Sequence, residues 1–230
     1  MKKIIFIFLS ILSIFNYANA KDFFLNITDQ IVENEFRLSY GVSVTDVNKD
    51  NKYDFVVTGF GFKNLALSYK DGKLMTIVNE KIFIDEERRT IGVAACDIDQ
   101  DGYEEIYFLN TDTYSGSKIY SDRLIDLNNN KFEDLFEKEI NQNELNLTAG
   151  RSVVCVDRNG DGAYGIYVAN YGGPTRFYEL IRDRIKDQAK SLSIDKITGG
   201  RAIVSGHILS DRSDIFACLL YTSPSPRDFG

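Results

Sequence analysis

Three short loops carry carboxylate and amide side chains at alternating positions, 50 to 60 residues apart. They read Asp46-Val-Asn48-Lys-Asp50-Asn51-Lys52-Tyr-Asp54, Asp97-Ile-Asp99-Gln-Asp101-Gly102-Tyr103-Glu-Glu105 and Asp157-Arg-Asn159-Gly-Asp161-Gly162-Ala163-Tyr-Gly165. Oxygens at the first, third, fifth and ninth positions, with a backbone carbonyl from the seventh, converge on one point when the chain turns tightly. That donor set suits a hard cation such as Ca2+, which takes several carboxylate, amide and carbonyl oxygens in flexible geometry. The expected ligands are Asp46, Asn48, Asp50, Asp54 and the Lys52 carbonyl in the first loop. They are Asp97, Asp99, Asp101, Glu105 and the Tyr103 carbonyl in the second. In the third they are Asp157, Asn159 and Asp161, with the Ala163 carbonyl available. The second loop has the most charge and ranks first. The third ranks last, because Gly165 removes the final ligand. The competing explanation is that these acids only cap turns through local hydrogen bonds.

Each loop lies between two apolar runs of strand length. Tyr40 to Thr45 and Tyr53 to Thr58 flank the first, Ile91 to Cys96 and Glu105 to Leu109 the second, and Ser152 to Val156 and Tyr164 to Ala169 the third. β-branched and aromatic composition with turn residues between predicts hairpins, which excludes the helix–loop–helix of an EF-hand. Gly102 and Gly162 stand at the sixth position, where the turn needs an unhindered backbone, and Asn51 tolerates the same conformation. Two more strands follow in each of the first two units. In the first they are Asn64 to Tyr69 and Lys73 to Val78, joined at Asp71-Gly72, a strong hairpin signal. In the second they are Ser117 to Tyr120 and Lys131 to Phe136. In the third unit, Leu180 to Ser191 has apolar residues at helical spacing and is expected as a short surface helix. A fourth unit begins near Gly199 and continues through Ile203 to Gly206. It keeps only Asp211 and Asp214 of the acidic pattern, has His207 where an aspartate would stand, and is expected to bind no metal. Its second strand is Asp214 to Ala217.

A repeat of four strands at this period predicts an all-β protein, an incomplete β-propeller of four-stranded blades with about three and a half blades in this chain. Residues 21–217 form that unit. Residues 1–20 read as a secretory signal peptide, with a basic head (Lys2, Lys3), an apolar run from Ile4 to Phe15 and Ala18-Asn-Ala20 at the cleavage site. Residues 218–230 are read as an artefactual tail, since Cys218 to Asp228 resembles a translated sequencing adapter. The expected location is secreted, extracellular or periplasmic. A net charge of −7 makes nucleic acid a poor partner, because phosphates call for Lys and Arg. Cys96 and Cys155 lie one and two residues before their loops. In paired strands that offset points them to opposite faces and reads as two buried free thiols, although export leaves pairing open. With one histidine, His207, a histidine-based metal cluster is excluded.

The loops resemble the FG-GAP (or VCBS) repeat of integrin α-like propellers. Several stretches resemble the cartilage acidic protein family more specifically. They include Tyr40-Gly-Val-Ser-Val-Thr-Asp-Val47, Gly92-Val-Ala-Ala-Cys-Asp-Ile-Asp99, Asp101 to Thr111, Ala149 to Arg158, Ile166 to Tyr171 and Thr198-Gly-Gly-Arg201. The resemblance implies a secreted calcium-binding β-propeller, commonly of about seven blades, with no defined catalysis to transfer. The resulting expectation is an extracellular binding or adhesion module, its calcium structural and its partner an extracellular protein or glycan. Phe60, Phe62, Tyr114 and Tyr171 follow the second strands and are candidates for its binding face, though packing between blades explains them as well. The alternative is a cell-envelope or secreted enzyme acting on polysaccharide. Its visible paired acids would be Glu86 and Glu87 beside Arg88 and Arg89.

Overall fold

The computed structural model describes residues 24–219. The expected leader, 1–20, lies outside the described residues, as does the expected tail apart from Cys218 and Leu219. Those two continue the last strand. The described chain is all-β, with fourteen strands in antiparallel order and only short helical turns. One of these is a single α-turn, α1 (Lys81–Ile84).

The first sheet orders β1 (Val42–Thr45), β2 (Asp54–Val57), β3 (Leu65–Lys70) and β4 (Lys73–Thr76) side by side. The second does the same with β5 (Thr90–Cys96), β6 (Glu105–Asn110), β7 (Arg123–Asn128) and β8 (Lys131–Asp134). The third contains β9 (Gly150–Val156), β10 (Gly165–Pro174), β11 (Arg176–Ile181) and β12 (Arg184–Asp187). The hairpin of β13 (Ile197–Gly206) and β14 (Asp214–Leu219) joins this sheet where Tyr171 and Pro174 of β10 meet Gly199 and Ile197. The described residues therefore hold three four-stranded units and a hairpin.

Two strand expectations are corrected. The third unit has no helix at Leu180 to Ser191. It turns at Arg182-Asp183, both with positive φ (50° and 62°), and Ile181 pairs with Arg184. A two-residue turn of this kind forces a hairpin, and Ile185 is fully buried as a strand residue. In the second unit the third strand is Arg123–Asn128, not Ser117 to Tyr120. The earlier stretch is a loop that sinks Lys118 into the protein, where its ammonium pairs with Asp122. Charged Arg123 and Asp126 disguised the real strand. Arg123 is buried among Asp85, Asp134 and Glu137, which accept its hydrogen bonds at 2.7 to 2.9 Å.

The sheets stack face to face, and strand alternation decides which residues fill each interface. Val56, Ala66 and Phe83 of the first unit meet Val93, Ile106, Phe108 and Ile125 of the second. The other face of the second sheet presents Cys96, Tyr107, Leu109 and Leu124 to Ile166, Val168 and Tyr178 of the third. The third sheet's far face presents Val156, Tyr167, Ala169 and Phe177 to Ile203. Each large apolar side chain removed from water in these layers contributes about 1.5–3 kcal/mol.

The same alternation corrects the reading of the cysteines. Cys96 and Cys155 form a disulfide, with Cα atoms 6.0 Å apart. Val156 and Cys96 occupy matching register positions, opposite Gly165 and Glu105. Cys155 therefore points to the opposite side of its sheet from Cys96. In stacked sheets, opposite sides of neighbours face one another, so the offset that seemed to separate the thiols is what joins them. A buried polar network spans the same interface. Asp122 accepts from Tyr107 Oη (2.7 Å), the Asn110 N–H (2.7 Å) and Asn146 Nδ2 (2.6 Å), and Asn146 exchanges amide hydrogen bonds with Asn170.

Candidate metal centre

All three acidic loops fold as the same compact hairpin connection. The first carboxylate accepts from the N–H of the sixth residue: Asp46 from Asn51 (2.6 Å), Asp97 from Gly102 (3.0 Å), and Asp157 from Gly162 (3.0 Å). The fifth accepts from the seventh, with Asp50 bound by Lys52, Asp101 by Tyr103 and Asp161 by Ala163 at 2.8 to 3.0 Å. The sixth residues are left-handed, with φ of 66° at Asn51, 90° at Gly102 and 85° at Gly162. The fourth positions, Lys49, Gln100 and Gly160, are left-handed too, which the spacing did not reveal. The turn-capping role of these acids is thus present in every loop, and it does not separate a metal site from a plain turn.

The loops differ at the ninth position. Asp54 and Glu105 begin β2 and β6, and each is 1 % exposed. Each reaches back across its turn, Asp54 accepting from the Val47 N–H (3.2 Å) and Glu105 from the Ile98 N–H (2.8 Å). In the second loop, ligand oxygens of Asp97, Asp99 and Glu105 lie within 4.8 Å of one another. Asp97 Oδ1 and Asp54 Oδ1 are buried with no hydrogen-bond partner, a costly state for a carboxylate oxygen. Burial pushes the Glu105 carboxyl up to about 8, with Asp99, Asp126 and Asp101 adding repulsion against the Ile98 N–H. Burial raises Asp54 and Asp99 as well. A divalent cation would reverse each of these costs, so the donor set fits the ion.

In the third loop Gly165 holds the ninth position. A Cβ placed there would meet Phe177 Cζ at 2.5 Å. The aromatic ring fills the space that a carboxylate stem occupies in the other two loops. Asp157 is held below the usual carboxylate range: slight desolvation raises it, but the N–H groups of Gly162 and Gly160 outweigh that. Asp157, Asn159 and Asp161 are close-packed by their own hydrogen bonds, and Asn159 Nδ2 donates to Asp161 at 2.6 Å.

Two residues join the second site that sequence reasoning missed. Asp126 lies across from Glu105, one step beyond the Ile106–Ile125 pair, and burial together with Asp99 raises its carboxyl. The sequence does not reveal it, because the expected third strand, Ser117 to Tyr120, ends before Asp126. Lys49 of the first loop reaches over to Asp101 (3.5 Å) and lies 4.2 Å above the Tyr103 ring. A cleft of about 410 Å³ between these two loops is lined by Asp46, Lys52, Asp97 and Tyr103 among others. The fourth loop is organised differently. Asp214 Oδ2 accepts from the N–H groups of Ile208, Leu209 and Ser210, and His207 is exposed.

At the opposite ends of the strands Phe60, Tyr114 and Tyr171 of the aromatic candidates fall in a second cluster, which does not include Phe62. Tyr114 is 67 % exposed and packs edge-on to Tyr171 at 5.4 Å, as Phe60 does to Tyr40 at 5.3 Å. Arg89 sits over Phe60, and Arg151 and Arg201 both sit over Tyr114 and Tyr171. In the charge run next to Arg89, Glu86 and Glu87 both line a cleft of about 500 Å³. Glu86 pairs with Lys63 at the surface and Arg88 binds Asp85 in a fork.

The geometry defines an all-β protein of stacked antiparallel sheets whose hairpins carry repeated acidic loops. No protein-family model matches the chain. Cartilage acidic protein 1 of Xenopus tropicalis is 40% identical to it over 227 residues, covering 86% of this chain and 35% of that protein. The Homo sapiens and Mus musculus proteins of the same name are each 39% identical over the same share of this chain. The chain is homologous to these proteins along that stretch and spans about a third of their length. Among the described residues no helix is long and apolar enough to cross a membrane.

Proposed function

We propose that this chain is part of a secreted, calcium-binding β-propeller that serves as an extracellular binding or adhesion module. Residues 21–217 supply successive four-stranded blades and residues 1–20 an export signal. The apolar outer faces of the stack suit further blades. Val42, Val44 and Phe55 are exposed on the first sheet, and Val204 and Phe216 on the last hairpin. The Cys96–Cys155 bridge suits an oxidising compartment.

The observation that carries the calcium reading is the convergence of Asp97, Asp99 and Glu105, with one Asp97 oxygen left buried and unpartnered. Asp97, Asp99, Asp101, Glu105 and the Tyr103 carbonyl would hold the ion in the second loop, and Asp46, Asn48, Asp50, Asp54 and the Lys52 carbonyl in the first. The ion supplies charge neutralisation. The chain's own part is to hold the carboxylates at the mouth of each hairpin and so pin adjacent strands. Calcium at about a hundred times its dissociation constant should stabilise the fold by roughly 2.7 kcal/mol, or about 5–10 °C in melting temperature for a chain of this size. Calorimetric titration and melting with and without chelator test this. Glu105→Gln should remove most of the calcium-dependent rise while leaving the chelated melt near that of the parent. An unchanged melt at confirmed metal depletion would reject the reading.

A further inference from the structure

The cluster at the other end of the strands is built from repeated positions. Tyr40, Ile91, Arg151 and Arg201 each stand five residues before the strand end that precedes a loop, at Thr45, Cys96, Val156 and Gly206. The stacking of the units therefore brings them side by side along one cleft of about 420 Å³, a size typical of small-ligand sites, roughly 300–1,000 Å³. Phe60, Arg89, Thr111 and Tyr114 complete its walls.

Its electrostatics are unbalanced. Arg151 and Arg201 share the same two tyrosine rings, at 5.1 to 5.9 Å from the ring centres. Among the described residues, neither they nor Arg89 enter an ion pair. Asp112, the acidic residue of the lining, is turned to the N–H groups of Ile119 and Tyr120. Arg151 is fixed by hydrogen bonds to Thr111 Oγ1 (3.0 Å) and to the Gly150 and Tyr114 carbonyls, yet its buried Nε has no partner. Arg201 Nη2 donates to Tyr114 Oη at 3.2 Å. Burial first, and then the neighbouring Arg201, lowers the pKa of Arg151, which stays protonated and therefore repels Arg201. Converging guanidiniums without a counter-ion form a site for a planar or tetrahedral anion.

We infer that this cleft binds an acidic saccharide, its carboxylate or sulfate taken by Arg151 and Arg201 and its sugar ring laid against Tyr114 or Tyr40. Tyr40 and Tyr114, 62 % and 67 % exposed beside the cations, favour a sugar. The backbone argues against one competing occupant, an extended acidic peptide that docks by adding a strand to a free sheet edge. The strand ends here are already paired: Phe60 bridges Arg89, the Thr111 N–H reaches Arg89 O, and Tyr171 exchanges hydrogen bonds with Gly116 and Ala149. The inference gives a ligand class to the binding-module reading and rests on it.

The test is titration of the mature chain, in saturating calcium, with heparin-derived oligosaccharide, oligogalacturonate, neutral dextran oligomer and polyaspartate. One or both acidic saccharides should bind, the two arms showing whether sulfate or carboxylate is preferred, and dextran should not. Arg201→Gln should weaken binding at least tenfold, and Tyr114→Ala severalfold, with melting temperature unchanged. Arg201→Gln serves as the primary variant because its side chain holds no backbone, whereas Arg151 does. Saccharide bound equally well by Arg201→Gln, polyaspartate bound in preference, or no binding by either acidic saccharide would overturn the inference. The module reading falls separately, through loss of the calcium response in the melt.

Discussion

The hairpins Asp97 to Glu105 and Asp157 to Gly165 share the main features of their turn. Both have a left-handed glycine at the sixth position, the same first-to-sixth hydrogen bond and the same fifth-to-seventh bond. They differ where the following strand starts. One places a buried glutamate against the turn and leaves an Asp97 oxygen without a partner; the other places a glycine in front of Phe177. The local hydrogen bonds are therefore sufficient to form the hairpin. On the calcium reading proposed above, the residue at the strand start would decide whether the loop offers a last ligand or packs against an aromatic core.

That contrast can be broken most severely at the bridge between the two sheets. Replacing Cys96 and Cys155 with serine should lower stability by about 2–5 kcal/mol, measured by denaturant unfolding of oxidised parent and variant. The calcium response of the second loop should survive in whatever fraction folds, because its ligands lie on one hairpin. A smaller disturbance comes from grafting the ligand. Gly165→Glu forces a side chain against Phe177 and should cost about 1–3 kcal/mol without adding a calcium equivalent in calorimetry. A new equivalent at parental stability would show that the ring is no barrier. The mildest test is Lys49→Met. Its contact with Asp101 is partly exposed, so the chelated protein should change by less than about 1 kcal/mol. Removing a competing cation should tighten calcium binding severalfold.

Much of the site could be read without coordinates. The alternating acids, the glycine at the sixth position and the missing ligand at Gly165 are properties of a few adjacent residues. They depend on local backbone geometry, which the chain carries wherever it folds. The three loop-flanking strand pairs were legible for the same reason. Asp126 and Lys49 were not, because each reaches the second loop from a different hairpin, and β7 is a strand whose charges are neutralised only by Asp85, Asp134 and Glu137 after packing.

What the chain determined alone is the repeat, the loop chemistry and the alternation that gives every sheet two apolar faces, since period-two patterning needs no partner to be visible. The stacking of those faces was decided only in three dimensions. It turned two cysteines of opposite orientation into a bridge and a predicted helix into a hairpin. It also brought arginines 50 residues apart in sequence over the same tyrosines. The physical reason is that contacts between sheets depend on which side of one sheet meets which side of the next, a relation that no single stretch of residues contains.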